Sequence, residues 1–265
     1  LLVKPELANK YLDMFDIPGI DTGIDTPPEF AISIILGLYF AAAIINLYIP
    51  RVALDHKLPR KDPLYILYDF WHCFKLLWRD PLGQVSLAVT TLFWGVGATL
   101  RLILLAWAAI ALKFGLDKST QLTAVVAVGI AIGSVIAAKY VKLEKSVRIL
   151  PIGIVMGLCL MLMVAVSNLY IAIILLLVIG AFTGFFIVPM NALLQHRGHL
   201  LMGAGHSIAV QNFNENLSIL AMLGIYAVMI RLDFSVFTVI ISFGILISVV
   251  MAYLYRRHGR DKIEA

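Results

Sequence analysis

Charged residues are scarce in this 265-residue chain, and cysteines are scarcer still. Asp, Glu, Lys and Arg make up 14% of the sequence, whereas an ordinary soluble domain carries about 25%. The two cysteines, Cys73 and Cys159, form no CxxC motif and provide no disulfide framework. The chain also lacks GxxxxGK[ST] and GxSxG, which excludes a P-loop motor and the simplest hydrolase signature. We therefore predict that the protein is not an enzyme and has no cofactor.

Apolar sequence is abundant instead. Hydrophobic residues make up 61% of the chain, and the mean hydropathy is +0.94. Seven apolar segments are near or above the roughly 20 residues that a helix needs to cross a bilayer. We place them at 30–49, 84–112, 120–141, 149–166, 169–194, 206–230 and 234–255. The predicted fold class is an all-α membrane protein with about seven transmembrane helices.

The net charge of +5 comes from basic residues between the apolar segments, so it indicates membrane topology rather than nucleic-acid binding. Lys and Arg concentrate in alternate links, and such links lie on the cytoplasmic side. They are Arg51, Lys57, Arg60, Lys61, Lys75, Arg79, Lys139, Lys142, Lys145, Arg148, Arg197, Arg256, Arg257, Arg260 and Lys262. We therefore predict a multi-pass protein whose C-terminus is cytoplasmic.

One span, a long basic link and six closely spaced spans form a pattern typical of part of a twelve-helix, two-half transporter. The chain begins with a residue other than Met, and we expect it to be the C-terminal portion of a longer protein. The alternative is a seven-helix receptor-like bundle. The predicted organisation is a periplasmic loop at 1–28, the last helix of the N-terminal half at 29–50, a cytoplasmic central loop with an interfacial helix at 51–82, a six-helix C-terminal half at 83–256 and a cytoplasmic tail at 257–265.

Arg101 lies inside the apolar run "ATLRLILLAW". An arginine at the centre of a membrane helix costs about 2.5–3.5 kcal/mol on insertion scales. Helical spacing places Trp94 and Arg101 on one face, and Gly95 and Gly97 leave room beside it. We predict that Arg101 binds an anion, because a guanidinium clasps a phosphate through two parallel hydrogen bonds. A structural ion pair or a snorkelling side chain is the alternative.

A second polar group interrupts the segment "IAVQNFNENLSIL" at 208–220. Gln211 and Glu215 share one helix face, and Asn212 lies beside it. Because this content is costly against lipid, the face must look into a cavity or onto another helix. We predict a polar wall of a substrate path, with an interhelical hydrogen-bond network as the alternative. Asn191, near a predicted helix end, is a further candidate for substrate contact.

The chain contains three histidines in and after the link "HRGHLLMGAG", at positions 196, 199 and 206. Their spacing matches no strong ligand pattern, so no metal site is predicted. Three spans carry GxxxG pairs, which let helix backbones approach closely. The pairs are Gly129 with Gly133, Gly153 with Gly157, and Gly180 with Gly184.

Four segments together resemble the bacterial lysophospholipid transporters of the major facilitator superfamily. They read "TLFWGVGATLRLILLAW", "FFIVPMNALLQHRG", "GAGHSIAVQNFNEN" and "LGIYAVMI", in family order, and the resemblance covers most of residues 30–255. It implies a major-facilitator-type bundle in the bacterial inner membrane. It also implies secondary, ATP-independent inward flipping of lysophospholipids such as lysophosphatidylethanolamine.

The resemblance further implies that an acyltransferase–acyl-carrier-protein synthetase reacylates the lysolipid, and that Arg101 helps to receive its head group. Together with the residues discussed above, the predicted substrate-binding set is Arg101, Trp94, Gln211, Asn212, Glu215 and Asn191. Two other functions stay open: a major-facilitator exporter of drugs or another amphipathic solute, and a membrane enzyme subunit or lipid-remodelling scaffold.

Overall fold

The structure, a computed structural model, describes residues 26–48 and 62–258. The described residues are almost entirely helical and include no strand. The α-helices are α1 Pro27–Asn46, α2 Pro63–Arg79, α3 Pro81–Ala111, α4 Leu116–Tyr140, α5 Leu150–Leu162, α6 Leu169–Met202, α7 Ala204–Arg231 and α8 Val236–His258. Short 3₁₀ helices, Leu143–Ile149 and Met163–Ala165, flank α5.

Seven helical segments are long and apolar enough to cross a membrane, which confirms the predicted fold class. They are α1, α3, α4, α5 with its two 3₁₀ extensions, α6, α7 and α8. The predicted loop at 1–28 and tail at 257–265 lie largely outside the described residues. The proposed division into halves stays a prediction.

Helix α1 lies in one of the two compact units of the chain, and α2–α8 lie in the other. It begins at Pro27, and proline suits the first helical turn because that turn leaves its N–H groups without intrahelical partners. The Glu29 carboxylate accepts a hydrogen bond from the Thr26 backbone N–H at 2.8 Å, as in a capping box.

The second unit is built around α3, which packs against α4, α6, α7 and α8. Its valines, together with Ile103 and Trp107, are buried in the main apolar core. The Trp107 indole N–H donates to the Met163 carbonyl at 3.0 Å, which satisfies a polar group that would be costly to bury unpaired. Helix α3, the helix that carries Arg101, is therefore held on several sides.

Helices α4 and α6 make the most extensive contact of the bundle, and their GxxxG pairs form it. A Cβ atom at Gly129 would lie 3.1 Å from the Gly180 Cα, and one at Gly184 would meet the Ile130 carbonyl. The two backbones thus approach where side chains are absent, as the sequence predicted. Gly153 and Gly157 play the same part on α5, where they face Met251 and Ser248 of α8.

The predicted link "HRGHLLMGAG" is wrong as a loop. Helix α6 runs on through it to Met202, and only Gly203 separates α6 from α7. Gly203 has φ 83°, a left-handed conformation that glycine adopts without a Cβ clash, so a single residue ends the helix. Because Leu194 and Met202 are buried, tertiary packing holds this segment helical despite its polar residues.

Helix α2 lies within the predicted 51–82 loop, and its place at the membrane interface stays a prediction. One face of it packs on the bundle, where Cys73 and Leu77 join an apolar cluster with Leu194 and Val210. Ring contacts extend this contact, with Phe70 and Phe213 of α7 at 5.3 Å between centroids. Helix α2 is therefore docked on α3, α6 and α7.

Candidate substrate-binding site

Arg101 borders a cavity of about 260 Å³ that lies between α3, α4, α5 and α6. Its wall is apolar apart from Arg101 and the hydroxyls of Thr123 and Thr183, and Arg101 is the only charged residue among the described residues that line it. No ion pair to Arg101 is formed within 26–48 and 62–258. The structural ion pair considered as an alternative is therefore not found in this part of the chain.

Trp94 and Arg101 are both exposed on the same side of α3, as their seven-residue spacing predicts. The prediction that two glycines leave room here is half right. Gly97 has open space beside it and lines the cavity with Arg101. Gly95 instead packs against the backbone of Ser218, so it serves the contact between α3 and α7.

Three of the predicted residues meet in one hydrogen-bonded cluster between α6 and α7. The Gln211 Nε2 donates to the Glu215 Oε1 at 2.8 Å and lies 3.3 Å from the Asn191 Oδ1, to which it also donates. Glu215 is 8% exposed, whereas Gln211 and Asn191 are half-buried. The interhelical hydrogen-bond network considered as the alternative is therefore present, and it positions the Glu215 carboxylate. The polar wall of a substrate path stays a prediction.

The asparagines of α7 divide between two roles. Asn212 and Asn216 are exposed, and the Asn216 side chain donates to the Asn212 carbonyl at 2.8 Å. Asn214 is buried, donates to the Val210 carbonyl and accepts from the Trp78 indole N–H at 3.3 Å. Asn214 therefore ties α2 to α7, a role that the sequence alone did not indicate.

Arg101 and Glu215 lie at different levels of the bundle. Two contacts show that helices α3 and α7 run parallel. Leu87 of α3 packs in one cluster with Val210 of α7, and eight residues further along each helix Gly95 meets Ser218. Arg101 is six residues beyond that contact and Glu215 is three residues before it. At a rise of 1.5 Å per residue, about 13 Å of helix axis separates their levels. The two residues are not an ion pair in this structure.

The chain is similar in sequence to curated proteins of several bacteria. It is 43% identical, over 202 residues, to the lysophospholipid transporter LplT of Serratia proteamaculans (strain 568), an alignment that covers 76% of this chain and 51% of the relative. It is 41% identical over 196 residues to the proteins of that name from Yersinia pestis (strain Pestoides F) and Yersinia pseudotuberculosis serotype O:3 (strain YPIII), covering 74% of this chain and 48% of each relative.

The chain is a homologue of the bacterial lysophospholipid transporters. The resemblance stated from the four sequence segments is confirmed. The chain spans about half the length of the curated relatives it matches. No protein-family model matches it, and no solved structure matches it significantly.

In this homologue of the lysophospholipid transporters, an ion pair between Asp80 and Arg197 joins the beginning of α3 to α6. The Arg197 Nη2 and Nε donate to the two Asp80 oxygens at 2.5 and 3.0 Å, a bidentate geometry. Asp80 also caps α3 by accepting from the Gly83 N–H at 2.7 Å. Burial raises the pKa of Asp80, but the hydrogen bonds and charge of Arg197 and the Gly83 N–H outweigh it and hold that pKa below its ordinary value.

Replacing Asp80 with Asn is expected to lower the free energy of unfolding by about 1–3 kcal/mol at neutral pH, because it removes the charged pair while Asn still caps the helix. Since the folded-state pKa of Asp80 is depressed, its contribution is complete above the unfolded pKa and is lost as pH falls through the folded pKa. The gap between wild type and Asp80→Asn should therefore close below about pH 4.

Thermal unfolding of the detergent-purified protein across pH measures this gap. Asp117→Asn is the control, since Asp117 is exposed and forms no ion pair with another described residue. A gap that stays constant down to strongly acidic pH contradicts the assignment.

Several contacts of the structure were not predicted from the sequence. Thr123 and Thr183 line the cavity with Arg101, and Asp80 pairs with Arg197 from the predicted loop. A sequence signal existed only for Asp80, because Asp before Pro at a helix start is a typical cap. The other contacts join residues on different helices.

Proposed function

We propose that the chain is the C-terminal portion of a secondary transporter that moves lysophospholipids such as lysophosphatidylethanolamine inward across the bacterial inner membrane. The observation that carries the proposal is Arg101 at the edge of an apolar cavity. The curated relatives, named lysophospholipid transporters, agree with it. The route for reacylation is an acyltransferase–acyl-carrier-protein synthetase, and the protein itself acts by transport without catalysis.

A cation beside an apolar cavity matches the chemistry of a lysophospholipid, which has an anionic phosphate and one acyl chain. The guanidinium of Arg101 supplies a planar donor fork for the phosphate. The cavity is slightly smaller than the roughly 300–1,000 Å³ of pockets for drug-sized ligands. We propose that it holds part of the acyl chain, while the rest lies along the exposed apolar helix faces or contacts the rest of the protein.

The polar cluster on α7 gives the head group a second contact. In this proposal the Glu215 carboxylate receives the ethanolamine ammonium, and Gln211 orients the carboxylate by its hydrogen bond. Trp94, Asn191 and the exposed Asn212 border the path. Because about 13 Å of helix axis separates the levels of Arg101 and Glu215, the two contact the head group in succession as it moves along α3 and α7.

Glu215→Gln is expected to lower uptake of lysophosphatidylethanolamine roughly tenfold, because an amide keeps the hydrogen bond to Gln211 but loses the charge facing the ammonium. Uptake of lysophosphatidylglycerol, which has no ammonium, should fall much less. Initial rates with the two labelled lipids measure the ratio. Glu144→Gln is the control, since it makes the same substitution at an exposed glutamate outside the candidate site. An equal loss for both lipids contradicts the ammonium contact.

The function itself is tested by uptake of labelled lysolipids into spheroplasts with and without the complete transporter. Uptake that depends on the protein, and that continues after reconstitution of the protein alone into vesicles, supports transport. Uptake of a panel of drugs or other amphipathic solutes, with no lysolipid uptake, favours the exporter. Chemical conversion of the lipid by the purified protein favours the membrane-enzyme alternative.

A further inference from the structure

Three side chains of different chemistry converge where α2 meets the first turn of α7. They are the carboxylate of Asp69, the thiol of Cys73 and the imidazole of His206, and one ligand atom from each lies within 4.8 Å of the others. The His206 Nε2 lies 2.8 Å from an Asp69 oxygen. None of these residues belongs to the candidate substrate site.

The fold brings this cluster together from two separate helices. Asp69 and Cys73 are four residues apart on α2, so their side chains lie one above the other on a single face. His206 is the third residue of α7, and the left-handed Gly203 turns the chain just before it. The cluster is therefore fixed by the docking of α2 and by a one-residue turn.

The surroundings of the cluster leave one side open. Cys73 is 6% exposed and packs against the apolar cluster of α2, α3, α6 and α7. The side chains of His206 and Asp69 are 26% and 24% exposed, so a water molecule has access to the side that they form. A buried thiol beside two partly exposed side chains suits a metal site with three protein ligands and one open coordination position.

The donor set is the one that Zn²⁺ prefers, since thiolate sulfur, imidazole nitrogen and carboxylate oxygen are its usual protein ligands. Ligand atoms at about 2.0–2.3 Å from a tetrahedral Zn²⁺ lie roughly 3.2–3.7 Å from one another. The three ligand atoms all lie within 4.8 Å of one another, and the His206–Asp69 distance of 2.8 Å is shorter than this spacing. Zinc binding would therefore require these two side chains to move slightly apart. A thiol is a poor ligand for Mg²⁺ or Ca²⁺, which take oxygen donors.

We propose that Asp69, Cys73 and His206 form a Zn²⁺ site that clamps α2 to the beginning of α7, with water in the fourth position. In the simpler alternative, Asp69 and His206 form an ion pair and Cys73 only packs beside them, so its thiol binds nothing. The clamp has a structural consequence, because α2 leads directly through Asp80 into α3, the helix of Arg101, and α7 carries Glu215. Bound zinc therefore fixes the central-loop helix against both helices of the candidate site. This inference does not depend on which solute is transported.

Zinc binding to the complete, detergent-purified transporter tests the proposal. We expect one equivalent of Zn²⁺ to remain after dialysis, and Co²⁺ to give the intense charge-transfer band of a cobalt–thiolate bond. Cys73→Ser should abolish that band and lower zinc affinity by more than the roughly 10–100-fold typical of losing an outer-shell partner. Cys159→Ser and His199→Ala are the matched controls and should change neither, whereas His206→Ala should weaken zinc binding as Cys73→Ser does.

Wild-type protein that binds zinc no more tightly than Cys73→Ser, or a cobalt complex without a thiolate band, overturns the proposal. A measurement that needs no substitution covers the case in which a variant fails to fold. Zinc should slow alkylation of Cys73 in the wild type, followed by mass spectrometry, and a chelator should restore it. Equal alkylation with and without zinc also overturns the site.

Discussion

Arg101→Ala is expected to lower uptake of labelled lysophosphatidylethanolamine about 10- to 100-fold while the amount of protein in the membrane stays normal. The reason is the loss of a charge-assisted contact worth about 1.5–3 kcal/mol at the edge of an apolar cavity. Fold stability should be unaffected, because Arg101 makes no ion pair within the described residues. Uptake into spheroplasts, normalised to immunodetected protein, measures the effect.

Two further variants sharpen this test. Arg101→Lys should be partly active at best, since an ammonium is a point charge without the planar fork of a guanidinium. Arg148→Ala, which removes an exposed arginine from the 3₁₀ helix before α5, is the matched control and should transport normally. Full uptake by Arg101→Ala would remove the residue on which the proposed function rests.

Gly133→Leu is expected to give the largest loss of folded protein. A Cβ atom at this position would lie 2.8 Å from the Phe185 backbone nitrogen and well inside contact distance of the Ala181 carbonyl. Neither obstacle is a side chain that can rotate away, so α4 and α6 must separate along their GxxxG contact. Overpacking of this kind costs about 1–3 kcal/mol even where the surroundings can adjust. Denaturant titration of detergent-purified protein measures the loss.

Gly224→Leu is the matched control, because it makes the same substitution inside a helix where nothing lies within 4 Å of the added Cβ. Leucine is about 1 kcal/mol more favourable than glycine in a helix interior, so this variant should be unchanged or more stable. Equal destabilisation of both variants would show that the cost comes from leucine itself rather than from the contact between α4 and α6.

The spans and helix contacts could be predicted because their signals are local or periodic. Long apolar segments indicate transmembrane helices, and glycines one turn apart indicate close packing. For the same reason, polarity alone predicts a loop before Gly203, where the structure has a helix. His196, Arg197 and His199 look like a loop when only polarity is considered, yet the segment stays helical because neighbouring residues of α6 are buried against the bundle.

The candidate site was predicted in its parts but not in its arrangement. The sequence alone shows that Arg101 lies in an apolar run and that Gln211 and Glu215 share one helix face. Because polar side chains are costly against lipid, it predicts that these residues face the inside of the bundle. The meeting of Gln211 with Asn191 is not a property of the sequence alone, since the two residues lie on different helices. Nor is the offset between Arg101 and Glu215, which depends on how α3 and α7 pair.

The sequence by itself determined the all-α membrane class, the approximate spans and the need for internal partners at its buried polar residues, because hydropathy and helical periodicity act over neighbouring residues. The tertiary structure decided which partners those are. It placed Arg101 at a cavity of four helices, paired Asp80 with Arg197 and gathered Asp69, Cys73 and His206. Such contacts depend on how whole helices rotate and dock. That arrangement is set jointly by the close approach of helix backbones at glycines and by burial across the bundle.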